Sequence, residues 1–158
     1  MNPLYQSLLS QAVSGQMLNV RDLSQFSAAE IRQTMADLVV ADRADLANAL
    51  AAAGQSLYPE SEDILAISAL LAEVQQDWAN AQELLLKLIE VQGDAATPVT
   101  LRHLIRVLRC QCEPAQAMQV AQKALALHPQ DASLQEEFAS LQDLFSEQLP
   151  LDASSQIH

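Results

Sequence analysis

The stretch Leu127–Leu134 reads LHPQDASL, and 70 residues earlier Leu57–Ile64 reads LYPESEDI. Both run Leu, aromatic ring, Pro, then polar and acidic residues that lead into an apolar segment. The residue before a Pro avoids the helical region, so each stretch ends a helix. Ser61 and Asp131 then stand where a capping side chain would open the next one. The same joint written twice points to a chain built from copies. A third joint belongs about halfway, and VQGDAATP fills it, with Gly93 in place of the Pro.

The composition around these joints is helical. Half of the 158 residues are apolar, only 4% are aromatic, and Gly occurs three times. Ala, Leu and Gln dominate, and all three favour helix. No run of β-branched residues alternates with polar ones as a strand would require. The formal net charge of −12 repels phosphate backbones and anionic headgroups, which argues against nucleic acid and membrane surfaces as partners. No apolar run approaches the roughly 20 residues needed to span a bilayer. The first twenty residues carry no charged side chain and no signal-peptide pattern, so a soluble cytoplasmic protein is expected. Cys110 and Cys112 lack the spacing and the second ligand pair of a zinc site. They are expected to be half-buried thiols, with no metal and no cofactor.

Periodicity and capping signals divide the chain further. Leu4, Leu8, Leu9, Ala12 and Val13 form an amphipathic stripe that Gly15 ends. An irregular piece runs to Phe26. Ser27 and Glu30 form a capping box that opens a helix to about Ala41. A second helix runs from Asp45 to about Ser56. The segment EDILAISALLAEV is apolar nearly all round, so it should be buried on several sides. A turn containing Trp78 leads to a helix ending near Gln92, where Gly93-Asp94 reads as a left-handed stop. Thr97-Pro98 opens VTLRHLIRVLRC, Glu113-Pro114 opens the next helix, and a last one spans about Ala132 to Ser146.

Set under one another, DLANALAAAGQSLYP, DWANAQELLLKLIEVQG and EPAQAMQVAQKALALHP align Ala47 with Ala81 and Ala117. Ala51, Leu85 and Ala121 also align, as do Gly54, Leu88 and Ala124, at spacings of 34 and 36. With Pro59 and Pro129 at the joints, this pattern resembles the tetratricopeptide-repeat superfamily, whose unit is a helix pair of 34 residues. Ala117, Ala124 and Pro129 stand at the family's usual places, and so do Leu101, Leu104 and Leu108. The second repeat has Gly93 where Pro is usual, the first has Met35 where a small residue is usual, and none has the family's Trp. The resemblance implies an all-α superhelix, or solenoid, of about three helix pairs with a capping helix at each end. The expected boundaries are residues 1–26 for an N-terminal helix and linker, 27–146 for the repeats, and 147–158 for a flexible tail.

Such solenoids bind peptides in a concave face lined by the first helix of each pair. In the third pair that helix carries Arg102, Arg106 and Arg109 at spacings of four and three, on one face, with His103 beside them. Arg forks suit carboxylates. The expected partner is therefore a peptide with an acidic or C-terminal carboxylate segment. The opposing reading is that these arginines pair with nearby acids and only keep the surface soluble. Ala66, Ile67 and Leu70 should form an apolar floor in the second pair. The family's carboxylate clamp needs Lys and Asn on the first groove helix, where Arg32 and Ala36 stand, so that clamp is not expected.

No enzyme motif is present, and the three His, at 103, 128 and 158, are scattered. The pairs Glu62-Asp63 and Glu136-Glu137 read as solvated helix faces. The sequence thus points to a non-catalytic adaptor or chaperone. Two alternatives stay open. One is a dimeric chaperone like the tetratricopeptide-type chaperones of bacterial type III secretion. The other is a self-assembling structural subunit that forms a homodimer through the uncharged N-terminal helix.

Overall fold

A computed structural model describes residues 2–15 and 19–147. The chain divides between Ala96 and Thr97 into two compact units. The first holds α1 (Pro3–Ser14), α2 (Val20–Leu23), α3 (Ala28–Val40), α4 (Ala44–Leu57), α5 (Glu62–Val74) and α6 (Trp78–Gln92), then a 3-10 turn at Gly93–Ala95. The second holds α7 (Pro98–Cys110), α8 (Pro114–Leu127) and α9 (Ala132–Glu147). Among the described residues there is no strand, and the architecture is all-α, in the successive helix pairs α3/α4, α5/α6 and α7/α8.

The joints that open this account share one geometry. Tyr58 and His128 both hold φ −131° and ψ 65°. Their N–H groups donate to the carbonyls of Gly54 and Ala124, at 2.8 Å in both cases. The side chains of Ser61 and Asp131 then accept from the N–H of Ile64 and of Leu134. The halfway joint differs. Gly93 takes φ 56° and ψ −129°, a region open to glycine but outside the left-handed helical well, so the expected left-handed stop is replaced by a sharper exit into the 3-10 turn. Thr97 caps α7 as expected, with its hydroxyl accepting from Thr100 at 3.2 Å.

A second repeated joint lies inside each pair. Asp42, Gln76 and Cys112 hold φ of 56°, 59° and 59°, in the left-handed region. Each follows the last turn of α3, α5 or α7, and the next N–H reaches back to Leu38, Ala72 or Leu108, at 2.9 Å every time. These are Schellman closures, which satisfy carbonyls that the helix ends leave open.

Small residues hold the second helices against their neighbours. Ala47, Ala81, Ala117, Ala121 and Ala124 are fully buried, Ala51 nearly so, and Pro59 and Pro129 lie exposed at the joints. Gly54 is buried, and a Cβ there would stand 3.3 Å from both Ile31 and Ile64. Met35, large where the family is small, is fully buried in the core of the first unit. The helix α5 packs on α3, α4 and α6, as its all-round apolar pattern requires.

Three local expectations are corrected. The piece before Phe26 is not wholly irregular. Asn19 caps the short helix α2, which buries Leu23. Trp78 does not sit in a turn, because Asp77 accepts from Asn80 and so starts α6 at Trp78. The α1 stripe is narrower than expected. Leu4 and Leu8 are buried, whereas Ala12 and Val13 are exposed, since the helix passes beyond the surface it packs on. Burying each leucine contributes about 1.5–3 kcal/mol. Asn2 donates to the hydroxyl of buried Thr34 in α3, and α1 packs on α3. The N-terminal helix therefore covers the first pair.

At the other end α9 packs on α7 and α8 as α5 packs on α3 and α4. Leu134 and Leu141 are buried, like Ile64 and Leu71 seventy residues earlier. Leu65 and Ala72 of α5 are buried too, but their counterparts in α9 are Gln135 and Gln142, both exposed. Polar residues at those places make α9 a cap rather than the first half of another pair. The tail expected from residue 147 begins inside α9 at Glu147, and the rest of it, with His158, lies outside the described residues.

Candidate functional site

Among the described helices, the first one of the last pair is the most sharply divided into an apolar and a polar side. Leu101, Leu104, Ile105, Val107 and Leu108 of α7 are buried. Arg102 and Arg106 are exposed on the other side, and His103 and Arg109 are half-buried at its edges. Four residues per step carry Arg102 to Arg106 by slightly more than one turn, which places both guanidinium groups on one stripe. With Val99, His103 and Glu137 they line a small cavity of about 70 Å³. It is the size of a carboxylate or a few waters, and its wall carries more positive than negative charge.

Arg109 has a different situation. Its guanidinium donates to the Glu137 carboxylate at 2.8 Å and to the Ser140 hydroxyl at 3.2 Å. The pair is about one-third exposed on the arginine side and less on the glutamate side. Arg109 thus follows the opposing expectation, pairing with an acid of its own chain. Sequence reading placed Glu136-Glu137 on a solvated face. Glu136 is exposed, but Glu137 is half-buried and belongs to the site. No spacing rule connects residues 28 apart in different helices, so the signal was absent from the sequence.

The expected apolar floor lies on α5 in the first unit. Ala66 is exposed, Ile67 half-buried and Leu70 44% exposed, and Val74 adds an apolar side chain 61% exposed. These occupy the register that Arg102, His103, Arg106 and Cys110 hold 36 residues later. The same register places Glu73, buried in the last turn of α5, opposite Arg109 in the alignment. On α3 the corresponding cation, Arg32, sits 3.5 Å from Asp63 of α5, and Ala36 is half-buried beside Asp37. A carboxylate clamp on α3 therefore has neither its Asn nor an unengaged cation.

The two thiols correct a further expectation. Cys110 and Cys112 are exposed rather than half-buried. Cys110 falls on the solvent side of the last turn of α7, and the left-handed backbone of Cys112 turns its side chain outward from the core. Among the described residues no cluster of three metal-ligating side chains forms. No helix among them is long and apolar enough to cross a membrane.

No protein-family model matches the chain, and no curated protein matches it. Among solved structures it is similar to an assembly chaperone of RpL4, Acl4, residues 1–338, at 17% sequence identity with a TM-score of 0.54. The match covers 91% of this chain and 57% of that one, so this chain spans a little over half of the neighbour's length. At such low identity the likeness is one of fold. The shared fold is that of an all-helical chain of successive helix pairs.

Proposed function

We propose that the chain is a non-catalytic protein-binding module, an adaptor or chaperone, that holds a segment of another protein. The observation that carries this reading is the pair of exposed guanidinium groups, Arg102 and Arg106, lining one cavity on the stripe of α7 opposite its buried face. Two guanidinium forks on one stripe, in a chain of net charge −12, form a local site for a carboxylate. The exposed apolar residues Ala66, Leu70 and Val74 on α5 offer contact of the kind an amphipathic segment seeks. The partner read from the arginine stripe carries an acidic or C-terminal carboxylate segment. A fold shared with an assembly chaperone supports the chaperone form of the reading.

The test uses a fluorescein-labelled peptide with alternating leucine and glutamate and a free C-terminus, followed by anisotropy at low ionic strength. Arg102→Ala/Arg106→Ala is expected to weaken binding by about tenfold or more, equivalent to about 1.4 kcal/mol. Equal affinity of the double variant and the wild type would remove the assignment. The dimeric and self-assembling alternatives draw less support, because α1 spends Leu4 and Leu8 on α3.

A further inference from the structure

Independently of the arginine stripe, we propose that the groove between α8 and α9 is a second docking surface, one that takes a basic amphipathic helix of a partner protein. The groove has a volume of about 490 Å³, and Met118 of α8 with Phe138 and Phe145 of α9 form its apolar floor. All three are half-buried, and the two rings are two of the three phenylalanines in the chain. Gln119, Gln122 and Gln142 edge the groove with exposed amides, which can donate or accept.

The first unit shows that such a floor is not a requirement of the fold. Seventy residues earlier, Asn48 of α4 and Gln75 of α5 stand at the places of Met118 and Phe145. Both are exposed, and the Gln75 amide donates to the Asn48 side-chain oxygen at 3.1 Å, a polar bridge between the two helices. Ser68, which is buried, stands where Phe138 does. One two-helix frame is thus built with polar side chains in one copy and with Met and Phe in the other. Apolar side chains in water gain by being covered, and Met adapts to the shape of what covers it.

Spacing and charge select the occupant. Phe138 and Phe145 lie seven residues apart on α9, two turns or about 10 Å along the axis. That is the span over which a docked helix presents its own anchors at i, i+3, i+4 and i+7. Along its outer side α9 also exposes Glu136, Asp143 and Glu147, at spacings of seven and four and so on one stripe. The cation that α8 sets against these three acids is Lys123. A partner helix with Lys or Arg beside its apolar stripe complements this edge. A second copy of the chain, with net charge −12 and the same acids on the same helix, meets like charge instead.

The test uses a fluorescein-labelled helical peptide of leucine and lysine, with leucines at i, i+3, i+4 and i+7, and the whole chain. Anisotropy should show binding by the wild type, and its absence would overturn the proposal. Met118→Asn/Phe145→Gln installs the polar pair of the earlier copy without altering charge, and it is expected to weaken binding by about tenfold or more. Unchanged affinity of that variant would also overturn the proposal and mark the binding as attraction to net charge alone. Glu136→Gln/Asp143→Asn/Glu147→Gln should weaken binding by about two- to fivefold at low salt, with the loss fading as salt rises. No loss at low salt would overturn the choice of a basic partner. Should Met118→Asn/Phe145→Gln lose helicity by circular dichroism, amide exchange of the wild type decides. The peptide should slow exchange in α8 and α9, and slowing elsewhere or nowhere counts against the groove. Sedimentation of the wild type without peptide is expected to give a monomer. A dimer that Phe145→Gln dissociates would overturn the proposal in favour of a second copy as the occupant.

Discussion

Asp42, Gln76 and Cys112 hold the same left-handed backbone angle at spacings of 34 and 36, yet share no side-chain chemistry. Glycine adopts this region without steric cost, whereas a Cβ crowds the carbonyl. Gln76→Gly should therefore stabilise the chain by about 0.5–1 kcal/mol, read as a higher urea midpoint at unchanged slope. These positions also show why part of the fold was hidden. The repeat was legible where residue type is dictated by packing, as at Ala47, Ala81 and Ala117. It was illegible where geometry repeats but the residue does not. The same holds for the site: the Arg stripe could be read from one helix, but the acid that answers it comes from another. A different residue-scale effect concerns acid. The Arg43 guanidinium hydrogen-bonds Asp45 at 2.9–3.0 Å and holds its carboxyl down at about 2. A lowered folded-state value stabilises above the unfolded value near 3.8 and loses that stabilisation as pH falls from there towards 2. Arg43→Gln should return the Asp45 titration to the ordinary carboxylate range, followed by carboxyl carbon chemical shifts, and a titration still near 2 would refute the assignment.

At the scale of elements, the second helices are defined by how closely they are approached. Gly54 in α4 faces Ile31 and Ile64, both fully buried, at a distance that leaves no room for a longer side chain. The aligned position in α6 is Leu88, buried and tolerated there. Gly54→Leu is nevertheless expected to cost about 2–3 kcal/mol, because two packed isoleucines would have to move. Thermal unfolding checks it, and a melting temperature within about 2 °C of wild type would contradict the packing argument. The alignment thus shows which residues correspond, while the local gap between helices decides which of them are interchangeable.

At the scale of the whole molecule, the two helix pairs of the first unit rest on each other through α5 against α3 and α4, with α1 against α3. Stability in such arrays is a sum of nearest-neighbour terms. Deleting residues 2–15 should uncover α3 and speed amide exchange there by about tenfold, since two buried leucines are lost, and should change α6 far less. Uniform acceleration in α3 and α6 would show that the unit opens as one body instead. The solvent-exposed thiols of Cys110 and Cys112 offer a last consequence. They stand one and three residues after Arg109 in the chain, and no other cysteine competes for reagent. A thiol-reactive dye would therefore label the end of α7 selectively without any engineered residue. Its emission would make the unaltered sequence report on its own arginine face, so that prospective partners could be screened optically before any is known.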